Sequence, residues 1–165
     1  RIGRVLAHRA LGFDMETLYS DGFKADDATE LALKASHTDL DTLLAKSDYV
    51  VVQVPYMAET QHMIGAAEFA KMKKSAVLIH AGRGGVVDDA SLADALKNGT
   101  IAAAAIDCFD NEPAVNADLL ALPNVLFTPH IGSATPATRM NMAMLALKNL
   151  AVGLSGQIPP NAVNG

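Results

Sequence analysis

Ala76-Val77-Leu78-Ile79-His80-Ala81-Gly82-Arg83-Gly84-Gly85 joins an apolar run of strand length to a glycine-rich loop. A short continuous apolar run bounded by turn residues reads as a strand buried on both faces, and the glycines let backbone come close to another group. Upstream, Tyr49-Val50-Val51-Val52-Gln53-Val54 reads the same way, with Pro55 as its stop. Downstream, Ile101 to Asp107 predicts a strand despite its four alanines, because turn signals flank it, and Asn124 to Thr128 predicts another. Met15 to Ser20 is a further short strand, closed by Asp21-Gly22.

Helical segments separate these strands. Ile2 to Leu11 has apolar residues near helical spacing, and Gly12-Phe13-Asp14 ends it. Residues 25–34, a short helix opened by Asp39-Leu40-Asp41, and Glu68 to Lys73 follow. Asp88 or Asp89 caps a helix running to Lys97, with Asn98-Gly99 as its end. Thr135-Pro136 starts a long helix that reaches about Leu150 and stops near Gly153. Alternation of this kind predicts an α/β fold with a doubly wound parallel sheet. Ligands of such sheets bind beyond the carboxyl ends of the strands, where Asp21, Pro55, Arg83, Asp107 and His130 fall.

The 165 residues, half of them hydrophobic, suit a single packed domain. A formal charge of −5 argues against a nucleic-acid surface. No stretch reaches the roughly 20 apolar residues that span a bilayer, so no membrane partner is expected. One cysteine, Cys108, rules out an internal disulfide and suits a reducing, cytoplasmic setting. Without a Cys/His cluster at ligand spacing, no metal is expected. Of the histidines, His8 and His62 read as solvent-facing, His37 as part of a polar connection and His80 as structural.

Arg1-Ile2-Gly3 opens a helix, and Asp21 follows at a strand end. That spacing matches the second half of a dinucleotide-binding fingerprint, in which the helix start faces the pyrophosphate and the acid holds the ribose. Taken alone, one glycine and one aspartate fit an ordinary helix start better than a cofactor site. If a cofactor binds, Asp21 favours NAD over NADP, and Lys24 weakens that preference.

The segments Arg1-Ile2-Gly3-Arg4, Gly12-Phe13-Asp14-Met15, Val54-Pro55, Gly82-Arg83-Gly84-Gly85-Val86-Val87-Asp88, Asp107-Cys108-Phe109, Glu112-Pro113 and Pro129-His130-Ile131-Gly132-Ser133-Ala134-Thr135 resemble the D-isomer-specific 2-hydroxyacid dehydrogenases. Within them, Glu68 to Lys73 and His80 to Gly84 look most like glyoxylate/hydroxypyruvate reductases, including those that reduce 2-ketogluconate. The resemblance implies a Rossmann-like nucleotide-binding domain truncated at its N-terminal strand, covering residues 1–152. It also implies a tail, 153–165, returning to a substrate domain mostly absent from this chain. A piece of a longer protein is therefore expected, inactive by itself.

By position, the resemblance makes Arg83 the binder of substrate carboxylate and carbonyl, Glu112 the partner of the histidine, and His130 the general acid/base. Cofactor contacts fall on Arg1, Ile2, Gly3, Asp21, Val54, Pro55, Ala81, Gly82, Arg83, Asp107, His130, Gly132 and Ser133. The implied activity is NAD(P)H-dependent reduction of a small 2-keto acid, in a homodimer. The residue types suit that chemistry. An imidazole can deliver a proton to a carbonyl oxygen, and a nearby carboxylate favours a charged imidazole. The guanidinium fork grips a carboxylate in a way that lysine cannot. Two departures from the family pattern stand out: Asp14 where Gly is frequent, and Cys108 where Val is usual. A cofactor-sensing, co-repressor-like binding protein on the same fold is the competing reading. A formate dehydrogenase is disfavoured, because it carries Gln at the position of Glu112.

Overall fold

A computed structural model describes residues 1–163. Its elements are α1 (Ile2–Ala10), β1 (Thr17–Tyr19), α2 (Asp27–Leu33), β2 (Ala35–His37), α3 (Leu40–Lys46), β3 (Tyr49–Val52), α4 (Ala66–Phe69), β4 (Val77–His80), α5 (Asp89–Lys97), β5 (Ala103–Ile106), α6 (Ala117–Leu120), β6 (Val125–Phe127) and α7 (Pro136–Leu154). The described chain divides into two compact units, one ending at Pro129 and the other starting at His130.

Every strand pair in the first unit is parallel. β1 pairs with β2 in a small sheet, and β3-β4-β5-β6 form a larger one in sequence order. Consecutive parallel strands need helical crossovers, which α4, α5 and α6 supply. The architecture is thus the parallel, Rossmann-like α/β fold that the alternation implied. Register matters for function here. Val52 pairs with His80, His80 with Ile106, and Ile106 with Phe127. Four strands therefore end in one row, and the chain leaves each of them at the same edge.

The core lies against this larger sheet. Val50, Val52, Leu78, Ala104 and Ile106 point into it from the strands, and Leu44, Phe69, Leu92 and Leu119 from the helices. The alanines of β5 fit this arrangement, since small side chains let a helix lie close to the sheet. Asp26, Asp39 and Asp88 cap α2, α3 and α5 by accepting backbone N–H groups, as acidic helix starts should.

Several boundaries differ from the sequence reading. α4 starts at Ala66 rather than Glu68, because Glu68 turns back to accept the Gly65 N–H at 3.2 Å and so becomes the third residue of the helix. His37, read as a connection, closes strand β2. α6 was not anticipated. In the second unit, Thr135 caps α7, Pro136 takes its first position, and the helix runs to Leu154. The end of the anticipated tail, residues 164–165, lies outside the described residues.

Candidate active site

The row of strand ends fixes where the candidate residues leave the sheet. Asp21 lies two residues beyond β1. Val54 and Pro55 follow β3, Ala81 to Arg83 follow β4, and Asp107 follows β5 directly. Arg1 is the N-cap of α1, and Ile2 and Gly3 form its first turn. Asp107 is tied into the sheet edge. Its N–H donates to the His80 carbonyl at 2.8 Å, and its carboxylate accepts the Thr128 hydroxyl at 2.6 Å.

The structure brings the Arg83 and Glu112 loops together, and it does so through backbone. Gly84 lies so close to Phe109 that a β-carbon there would stand 1.8 Å from the Phe109 carbonyl oxygen. Gly85 takes φ +83 with the Tyr56 ring against it. Glycines are needed at both places, the first for close approach and the second for a left-handed backbone as well. Phe109 in turn donates its N–H to Glu112 Oε1 at 3.1 Å. Arg83 is exposed, and its guanidinium donates to the Gly82 carbonyl at 2.8 Å.

Asp110 fastens these loops, a role the sequence reading missed. Its carboxylate accepts the Gly85 N–H at 2.7 Å and the Asp89 N–H at 3.4 Å, and lies 3.4 Å from His62 Nε2. Its own N–H donates to Asp89 at 3.2 Å. His62 is exposed, as its sequence position implied, and is also a partner of the loop. Asp89 is buried, and desolvation pushes its carboxyl up to about 6, with the Asp110 and Asp88 charges adding to the effect and the Asp110 N–H opposing it.

His62, Asp88 and Asp110 bring ligand-type atoms within 4.8 Å of one another. The Asp88 carboxylate already accepts the Ala90 N–H and the Ser91 hydroxyl, and that of Asp110 is committed as described. These oxygens serve loop and helix caps, and the group has the character of a structural network.

Beneath Arg83, His80 is 1% exposed, and neither ring nitrogen has a hydrogen-bond partner of normal geometry. Burial holds the ring below its ordinary pKa, against the pull of the Arg83 backbone and the Asp110 and Glu112 carboxylates. Cys108 is buried as a small apolar residue, and desolvation pushes its thiol up to about 12, far from a reactive thiolate.

His130, Gly132 and Ser133 belong to the second unit. His130 is exposed and adopts φ +52, a left-handed conformation uncommon for a residue with a side chain. The Ala134 N–H closes the following turn onto the Ile131 carbonyl at 2.9 Å. An open cleft of about 540 Å³ between α1 and α2 contains none of the strand-end residues, and only Arg4, His8, Arg9 and Thr29 give it polar character. No helix among the described residues is long and apolar enough to cross a membrane.

The model of the D-isomer specific 2-hydroxyacid dehydrogenase NAD binding domain matches residues 1–132. A glyoxylate/hydroxypyruvate reductase B of Erwinia tasmaniensis is 51% identical over 99% of this chain and 51% of its own length. Two solved structures share the fold. One is an NADPH-dependent glyoxylate/hydroxypyruvate reductase of Sinorhizobium meliloti in complex with NADP and malonate, 35% identical, with a TM-score of 0.87 over 93% of this chain and 47% of the other. The second is D-lactate dehydrogenase of Lactobacillus jensenii with NAD+, 30% identical, with a TM-score of 0.87 over 99% and 53%. The chain spans about half the length of the curated relatives it matches. With its parallel sheet, its Arg83 and Glu112 loops and these likenesses, the chain belongs to the D-isomer specific 2-hydroxyacid dehydrogenases, as their NAD-binding domain.

Proposed function

We propose that the whole protein carrying this chain reduces a small 2-keto acid, glyoxylate or hydroxypyruvate, to the D-2-hydroxy acid with NADH, NADPH being the alternative donor. The observation that carries the reading is the shared row of strand ends, from which Val54-Pro55, Ala81 to Arg83 and Asp107 leave at one edge. A nicotinamide dinucleotide suits that edge. Ala81 and Arg83 are exposed there, Asp21 is exposed beyond the end of β1 in the smaller sheet, and Gly3 in the first turn of α1 has nothing within 4 Å of where a β-carbon would stand. Asp21 would hold the ribose. Arg1, Ile2 and Gly3 would face the pyrophosphate. Val54, Pro55, Ala81, Gly82 and Asp107 are further proposed cofactor contacts, as are Gly132 and Ser133.

A bound nicotinamide supplies the hydride that goes to the carbonyl carbon. Arg83 grips the substrate carboxylate and polarises the carbonyl, which needs the two-point geometry of a guanidinium. His130 delivers the proton to the carbonyl oxygen as negative charge develops there. Glu112 is the partner proposed for that imidazole. Residues 1–152 act as the nucleotide-binding part, and the remaining residues lead toward a substrate domain. A cytoplasmic homodimer is the expected state. The family supports the dimer, and a single buried cysteine suits a reducing compartment.

The test is a panel of glyoxylate, hydroxypyruvate and 2-ketogluconate on the whole protein, with NADH and NADPH in parallel. His130→Ala should abolish turnover while leaving NADH binding nearly intact. Full activity in that variant would remove the proton-transfer role. Tight cofactor binding without turnover of any keto acid would point to the sensor reading instead.

A further inference from the structure

The loop after β1 holds one cation among several acids: between Ser20 and Leu33, Lys24 stands with Asp21, Asp26, Asp27 and Glu30. From sequence, Lys24 is a candidate grip for the extra phosphate of NADPH. In the structure its ammonium is already engaged, 3.5 Å from Asp27 Oδ1 and 3.5 Å from Glu30 Oε2. The two acids are not equivalent. The Asp27 side chain is 97% exposed, whereas that of Glu30 is 17% exposed, so screening weakens the first pair far more than the second.

Glu30 is itself held in place. Its Oε1 accepts the Tyr19 hydroxyl at 2.7 Å, and that hydroxyl accepts the Ala25 N–H at 2.8 Å. One carboxylate thus fixes the last residue of β1, the first residue after Lys24, and Lys24 itself. Attraction to Glu30 is the first cause that strengthens the hold on the ammonium's proton, followed by the hydrogen bond and attraction to Asp27. The other acids stay in place too. Asp21 accepts the Phe23 N–H at 3.1 Å, and Asp26 caps α2 through Thr29. Arg4 on α1 is the next cation, and its charge acts on Asp26.

We propose that Glu30 is a cofactor-specificity residue: by holding the Lys24 ammonium from a site anchored on Tyr19, it denies a ribose 2′-phosphate its cation and makes the enzyme select NADH over NADPH. The inference rests on the cofactor reading above, with Asp21 at the ribose. A 2′-phosphate arriving beside Asp21 meets a carboxylate, and recruiting Lys24 would strip a half-buried Glu30 of its counter-charge. Such a charge left partly desolvated is costly. Asp21 alone disfavours the phosphate by repulsion, and Glu30 removes the compensation that Lys24 would otherwise supply.

The experiment uses the whole protein and two readouts: kcat/KM with each cofactor on glyoxylate, and direct binding of NADH, NADPH and 2′,5′-ADP by calorimetry. Glu30→Gln keeps the Tyr19 acceptor and the side-chain length but removes the charge. It should raise kcat/KM for NADPH and affinity for 2′,5′-ADP by about fivefold, the upper range for a partly exposed ion pair, with NADH values nearly unchanged. Adding Lys24→Met to that variant should erase the gain. Lys24→Met alone should leave NADPH affinity as it is, since the ammonium is already engaged, and this arm stands even if Glu30→Gln folds poorly. A wild-type protein that uses NADPH as well as NADH, an unchanged cofactor ratio in folded Glu30→Gln, or a loss of NADPH affinity in Lys24→Met each overturns the proposal. A protein that binds neither cofactor overturns the cofactor reading itself, and the proposal with it, whereas NADH-dependent turnover with an unmoved ratio refutes Glu30 alone.

Discussion

Gly84→Ala is the sharpest test of how the Arg83 loop is positioned. The added β-carbon would stand 1.8 Å from the Phe109 carbonyl oxygen and 2.5 Å from its carbon, backbone atoms that no rotamer change can move aside. Reaching 3.0 Å, below which β-carbon contacts are essentially never seen, requires the two loops to part by at least 1.2 Å. The Gly85–Asp110 bond of 2.7 Å and the Asp110–Asp89 bond of 3.2 Å lie in the path of that movement. Overpacking of this sort costs about 1–3 kcal/mol, which lowers Tm by roughly 2–4 °C per kcal/mol in a chain of this size. Displacing a substrate-gripping side chain by about 1 Å costs on the order of 100-fold in rate. The assay, on the whole protein, is kcat/KM for glyoxylate with NADH, alongside thermal unfolding and NADH titration. Gly99→Ala is the control, since Gly99 has φ +67 but open space around it. It should cost about 1 kcal/mol from the left-handed backbone and leave kinetics untouched. If Gly84→Ala matches wild type in both Tm and kcat/KM, the close approach does not position the loop.

Three further outcomes are expected. The Asp89 carboxyl is raised to about 6 from an ordinary 3.8, so its contribution to stability is greatest at low pH and is lost as pH rises through that window. Asp89→Asn, which keeps an acceptor for the Asp110 N–H, should therefore stabilise the protein at pH 8 by on the order of 2 kcal/mol, and denaturant titrations at pH 5 and pH 8 that show equal effects would refute this. His80 has the opposite sign: its pKa is held below 6.5 by burial, so stability is full above that value and falls as pH drops below it, and His80→Leu should flatten this acid limb in a Tm-versus-pH series. Asp14 sits at φ +55, where the family often has glycine, so Asp14→Gly should raise stability by about 0.5–1 kcal/mol without altering kcat, and a lower Tm would count against the strain argument.

Much of this was legible because the signals were local. β3 declares itself through its run of valines, β4 through a continuous apolar run, and α7 through Thr135-Pro136. The alanine-rich β5 was readable only from its neighbours, since Ala103, Ala104 and Ala105 have no strand preference of their own. Strand β2 escaped for a physical reason: it has three residues, two of them exposed and polar, so it carries neither alternation nor an apolar run. Asp110 was invisible for another reason. Its work is to accept N–H groups from residues 21 and 25 positions away, and nothing in Phe109-Asp110-Asn111 distinguishes it from a surface acid. Lys24 shows the same limit, because sequence supplies the cation but not the Glu30 that holds it.

The division of the first unit into two sheets has a consequence for cooperativity. Asp21 leaves the small β1–β2 sheet, while Arg83 and Glu112 leave the larger one. Strands that share no hydrogen-bonded neighbour can open separately, and a two-stranded pair is only marginally stable alone. Amide exchange should thus be fastest in β1 and β2 and slowest in β4 and β5, the central strands of the larger sheet. A dinucleotide reaching from Asp21 to Arg83 would couple the two openings and slow exchange most at Thr17 to Tyr19, so that the ligand serves as a thermodynamic tie between parts of the fold that the backbone leaves separate.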